Sequence, residues 1–198
     1  MELKRISLDS LSFPIANVQF SIFLLLIKRS YYTIIAIINF MTEEYKVLSK
    51  EEYETLKNAI SWITILVAGA DNNIDPQETE WAEKLANIRA FSLDEELKSF
   101  YTDVGQDFHG KLHKMIDDMP DDREERQAIL SENLSKLNSI LAKLEPSVGA
   151  LLYDSFVSFA SHVAKASGGF LRFFSVSAEE KKVIKLDMID PIEYHPDV

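Results

Sequence analysis

The chain has 198 residues, 46% of them apolar and 27% charged, which suffices for one soluble domain with its own core. Its formal charge of −11 argues against nucleic acid, whose phosphates require a positive field, and leaves cations and basic partners open. It has no cysteine, which excludes disulfides, thiolate metal sites and a cysteine nucleophile, and its six glycines form no phosphate-binding loop.

Residues 1–40 differ in composition from the rest. Lys4, Arg5, Lys28 and Arg29 face only Glu2 and Asp9, a balance of +2 that leaves −13 for the remaining residues. Two apolar runs, Ile15 to Ile27 and Tyr31 to Met41, are separated by Lys28-Arg29-Ser30. Neither reaches the roughly 18 to 20 residues that span a bilayer, and joining them would set two cations near the centre of the span. Three readings stay open: a membrane-associating arm over 11–41, a segment packed on the domain, or an over-extended reading frame whose translation begins at Met41. The division expected is 1–40 as extension, 41–190 as a helical domain and 191–198 as a tail. The expected location is the cytoplasm, or a membrane surface if the arm is translated and exposed.

From Ser49 onward the dominant period is helical. Ser49 with Glu52, Asp75 with Glu78, Ser92 with Glu95 and Ser177 with Glu180 each have capping-box spacing and mark four helix starts. Tyr53, Leu56, Ile60, Ile63 and Val67 form the apolar face of the first helix. Trp81, Leu85 and Ile88 form that of the second, which opens with Pro76 where a missing donor costs nothing. Leu97, Phe100 and Val104 follow, then a break at Gly105, then Phe108, Leu112 and Met115, with Pro120 as a stop. Leu130, Leu134, Leu137, Leu141 and Leu144 make one stripe, closed or kinked by Pro146. Val148, Leu152, Phe156, Phe159 and Val163 line the next helix, and Val183 and Leu186 the last. No stretch alternates convincingly with period two. The fold class expected is all-α, a compact bundle of six to seven helices.

Two helix junctions resemble each other. Val67 to Glu78 reads VAGADNNIDPQE, and Val163 to Glu180 reads VAKASGGFLRFFSVSAEE. Both begin Val-Ala-x-Ala, pass through residues tolerant of left-handed backbone, and end in an apolar residue before a capped helix. Ala70 to Glu78 resembles the Ala-Asp-Gly-x-Ile-x-x-x-Glu junction of the TerB-like domains of tellurite resistance, and Ala164 to Glu180 is similar to the second half of that pattern. The resemblance covers about residues 46 to 190. It implies two related helix-turn-helix halves, a role in bacterial tellurite and stress responses, and an acidic patch holding a divalent metal ion. Asn72 stands where the family usually has glycine. Ser167 and Ser177 stand where Asp71 and Asp75 have their counterparts, which leaves Glu180 in the place of Glu78.

Capping by itself explains Asp75 and Glu78. Asp71 follows a helix C-terminus, where the macrodipole is negative and a carboxylate requires compensation. An Asx-turn would supply it locally, and Ca2+ or Mg2+ bound by Asp71, Asp75, Glu78 and helix-end carbonyls would supply it more fully. His109 and His113, one helical turn apart, could hold a transition metal with Asp117 or simply line a solvated face. His162 reads as a partly buried packing residue, 117–125 as a polar loop with a capped start, and Phe170 to Phe174 with Arg172 as a core plug or a contact surface. The function expected is non-enzymatic, with no catalytic residues: a domain binding a divalent cation, a protein partner or both. The alternative is a membrane-tethered acidic interaction module without metal.

Overall fold

The computed structural model describes residues 43–70, 74–92, 94–166 and 178–194, with backbone alone at 92 and 178–180. The N-terminal apolar runs, the start Met41, Asp71 to Asn73, Ser167, the Phe170 to Phe174 cluster and Ser177 lie outside the described residues. The boundary between the chain's two units falls between Phe40 and Met41, and all described residues belong to the second.

A 3-10 turn over Glu43–Tyr45 leads to α1, Lys50–Ala68. There follow α2, Pro76–Ser92; α3, Glu95–Gly105; α4, Phe108–Asp117; α5, Arg123–Ser135; α6, Leu137–Leu141; α7, Pro146–Ala164; and α8, Ala178–Val183. The described residues form no strand, and the architecture is an all-α bundle. α5 and α6 are one helix interrupted at Lys136, whose amide reaches back three residues to Asn133 instead of four. Counted as one, they leave seven helices among the described residues.

α1 is the axis of the bundle because it is apolar nearly all round. It starts with a complete capping box: the Glu52 amide donates to Ser49 Oγ at 3.2 Å and the Ser49 amide to Glu52 Oε2 at 2.9 Å. Beyond Tyr53, every residue from Ala59 to Ala68 is buried, and α7 packs along it with the other helices around. Its buried polar groups are satisfied. Thr64 donates to the Ile60 carbonyl at 2.8 Å, and Lys57 pairs with Glu54 at 2.7 Å. The leucine stripe of α5 and α6 and the Val148 to Val163 stripe of α7 are buried as their spacing requires. Pro146 opens α7 at its first position, where proline is at home.

Two expectations are corrected. Ser92 is the last residue of α2 and does not start α3, whose cap position falls to Asp94. α2 also turns a face about a quarter turn from the expected one inward: Leu85 is buried as its spacing requires, together with Ala82, Ala86 and Arg89, whereas Trp81 and Ile88 are exposed. α2 packs extensively against α3, and Arg89 of its buried face reaches Tyr101 there.

After α8, Leu186 takes a left-handed φ of 51° while fully buried. A left-handed leucine costs about 1–2 kcal/mol, so its burial and that of Ile189 must outweigh it. Asn138 of α6 holds this segment by donating to the Met188 carbonyl at 3.2 Å and accepting the Asp190 amide at 2.9 Å.

Candidate functional site

The acidic junction begins where α1 ends. The Gly69 amide donates to Ile65 O at 3.0 Å, the Ala70 amide to Val67 O at 3.1 Å, and the Asp75 amide reaches back to Ala68 O at 3.0 Å. That last bond alters the expected cap. The proton that a capping box would hand to Glu78 is already held by α1, so Asp75 and Glu78 do not form the reciprocal pair. Asp75 still caps α2, its Oδ1 taking the Gln77 amide at 2.7 Å and its carbonyl the Thr79 amide at 3.2 Å. Glu78 is buried at 1% exposure.

The charge at the end of α1 comes from α5. Arg126, 4% exposed, donates to Gly69 O at 3.2 Å while its other terminal nitrogen spans Pro120 O at 3.1 Å and Asp121 O at 3.0 Å. Arg123 reaches Ala70 O at the long distance of 3.5 Å. Two guanidiniums thus stand at the negative end of α1, where the sequence required a compensating charge. The helix-end carbonyls counted as ligands for Ca2+ or Mg2+ are engaged by these arginines. Of the proposed ligands, Asp71 and the Glu180 side chain lie outside the described residues, Asp75 is a cap and Glu78 is buried. The signal for Arg126 was its place in the first turn of a helix, where a cation opposes the dipole unless tertiary structure holds it. Asp122 caps that helix, accepting the Glu125 amide at 2.9 Å.

A second arginine organises the interior. Arg89 of α2, 7% exposed, donates to Tyr101 Oη at 3.0 Å, to Ser155 O and Oγ at 2.7 Å each, and to Ser158 Oγ at 3.1 Å. Its plane lies over the rings of Tyr101 and Phe159. His162 is exposed, not partly buried, and its Nδ1–H donates to the Ser158 carbonyl at 2.7 Å. With that nitrogen acting as a donor, its 3.5 Å approach to Ser158 Oγ is not a nucleophile–base contact.

Tyr53 Oη donates to Asp103 Oδ2 at 2.8 Å, tying α1 to α3. Burial pushes both groups up, and the tyrosine's hydrogen bond draws Asp103 part of the way back. On α4, His109 and His113 face Glu83 of α2, and Asp117 is exposed and not part of that group.

The outer face of α2 carries exposed apolar side chains. Trp81 is 37% exposed, Ile88 49% and Phe91 84%, with Lys84 between them and Glu80 at the edge. At positions i, i+7 and i+10 these side chains share one stripe.

No family model, no curated protein and no solved structure matches the chain. None of the described helices is long and apolar enough to cross a membrane.

Proposed function

We propose that this chain is a non-enzymatic, TerB-like helical module of the bacterial tellurite and stress response, working in the cytoplasm by docking a protein partner on the outer face of α2. The observation that carries the docking reading is Phe91, 84% exposed beside Ile88 and Trp81 on a helix whose inward face is made by Ala82, Leu85, Ala86 and Arg89. Large apolar side chains in one exposed stripe mark interaction surfaces in soluble proteins. The partner's chemistry follows from the charge. A basic amphipathic helix would place apolar anchors at i, i+3 and i+7 in the stripe and its cations toward this acidic chain. The Ca2+ or Mg2+ part of the family's implied role has less support, because the Gly69 and Ala70 carbonyls just past α1 already face Arg126 and Arg123.

The test uses the chain's own fluorophores, since Trp62 is buried and Trp81 exposed. Titration with a cationic amphipathic helical peptide should shift Trp81 emission to the blue, an acidic peptide of the same apolar pattern should not, and Phe91→Asp should abolish the shift. Equal response to both peptides, or full response in Phe91→Asp, would sink the docking reading. Unchanged tellurite tolerance after deletion of the gene would remove the stress-response half.

A further inference from the structure

We infer that Glu83, His109 and His113 form a binding site for a first-row transition-metal ion of the Zn2+, Ni2+ and Co2+ type, on the seam between α2 and α4. The site is independent of the α2 docking face and uses none of the acidic-junction residues.

The geometry begins with the spacing. His109 and His113 are four residues apart on α4, so their rings project from one face, and the ring centroids lie 4.4 Å apart. α2 lays Glu83 across that face. Its Oε1 is 2.8 Å from His109 Nδ1 and 3.6 Å from His113 Nε2, and the three ligand atoms all lie within 4.8 Å of one another. Around an ion with bonds near 2.0–2.1 Å, neighbouring ligand atoms sit about 2.9 Å apart at right angles and about 3.3 Å apart in a tetrahedron. The two distances to Glu83 bracket those values.

An ion pair is the simpler account of such a group, and it explains only half of it. His109 and Glu83 form an ordinary solvent-facing pair, of the kind that adds little to stability. His113 points its nitrogen at the same carboxylate oxygen from beyond hydrogen-bond reach. Two imidazole nitrogens and a carboxylate oxygen gathered at one point suit a single dication. The opposite side of α4 fixes the arrangement: Phe108 and Leu112 are buried in the core, and Lys111 donates to Glu54 Oε2 of α1 at 3.0 Å. The helix cannot roll without losing these contacts, so the histidines stay turned toward Glu83.

The donor set decides the class of ion. Two imidazole nitrogens and one carboxylate oxygen favour Zn2+, Ni2+, Co2+ and Cu2+, whereas Ca2+ and Mg2+ take oxygen-rich shells. The histidines are 73% and 52% exposed and Glu83 26%, so the remaining positions of the ion face solvent. Such a centre exchanges its ion readily and has room for a donor from another molecule.

Calorimetric titration of the full chain, with the visible spectrum of Co2+ as a report on coordination, tests the assignment. The expected result is one Zn2+, Ni2+ or Co2+ per chain, with Mg2+ and Ca2+ bound at least tenfold more weakly. His109→Ala and His113→Ala should each weaken binding by at least the roughly 10- to 100-fold that even an outer partner of a metal ligand contributes. Asp117→Asn, Asp75→Asn and Phe91→Asp should leave it unchanged. Both histidines are exposed, so these variants keep the fold, and a coincident melting curve verifies that. Absence of binding to the wild-type chain, or undiminished binding by the His109→Ala, His113→Ala double variant, overturns the inference.

Discussion

Replacing Gly69 by alanine probes how closely α5 approaches the end of α1. An alanine Cβ there would lie 2.9 Å from Ile65 O, 3.1 Å from Arg126 Nε and 3.2 Å from Arg126 Nη2. The backbone is no obstacle, since φ of −102° and ψ of 13° suit any residue. The obstacle is space. Ile65 O belongs to α1 and accepts the Gly69 amide, so it cannot retreat without opening the helix end. Arg126 is held on its far side by Pro120 O and Asp121 O, so it retreats only by giving up Gly69 O. Overpacking of this kind costs about 1–3 kcal/mol, and weakening a charged hydrogen bond about 1.5 kcal/mol more. Loss of freedom in the unfolded chain returns about 0.4–1 kcal/mol. The net destabilisation expected is about 1.5–4 kcal/mol, a fall in Tm of about 3–16 °C for a domain of this size. Urea denaturation and thermal melting followed by circular dichroism measure it. Gly105→Ala is the control: its Cβ would meet only Asn87 Oδ1 at 3.4 Å, and it should be neutral or slightly stabilising. A Gly69→Ala protein as stable as wild type, or a Gly105→Ala protein equally damaged, would refute the close approach of Arg126.

Three further outcomes are expected. Arg89→Lys should cost about 2–4 kcal/mol by urea denaturation, because one ammonium cannot serve Tyr101, Ser155 and Ser158 together, and Arg89→Met should cost less because it removes the buried charge itself. Burial would by itself raise the Glu54 carboxyl, but hydrogen bonds from Lys57 and Lys111 outweigh it and hold the group below its ordinary value of 4.5. Its stabilising contribution is therefore present above that value and is lost as pH falls through the lower folded one. Tm against pH should accordingly drop more steeply on acidification for wild type than for Glu54→Gln. Ser49→Ala removes one arm of the capping box and should cost about 1 kcal/mol in the same denaturation assay, with a Ser49→Asp variant restoring most of it.

The metal-capable group and the arginine clamps were only partly legible in the sequence. His109 and His113 could be paired from their spacing, because a helix repeats its face every three to four residues. Their third member could not, since Glu83 lies 26 residues away on another helix and Asp117 satisfied the local rule equally well. Arg126 follows the polar 117–125 run at the start of a helix, and no local pattern names its target carbonyl, which is 57 residues distant. Asp75 and Glu78 matched a capping box by spacing, and the box fails because the Asp75 amide is taken by Ala68, a bond that depends on how the junction folds back.

The sequence by itself determined the helical class, the box at Ser49, a capped helix start within 117–125 and the buried stripes of α1, α5 to α6 and α7. These are local or single-helix properties, set by propensity, capping chemistry and periodicity along one axis. Only the tertiary structure decided which side of α2 faces the core. Trp81, Leu85 and Ile88 have the spacing of a core stripe, yet only Leu85 of them is buried, and the bundle turns Ala82, Ala86 and Arg89 inward with it, the guanidinium meeting the hydroxyls of Tyr101 and Ser155. Periodicity records spacing along one helix and carries no information about the surface that will oppose it.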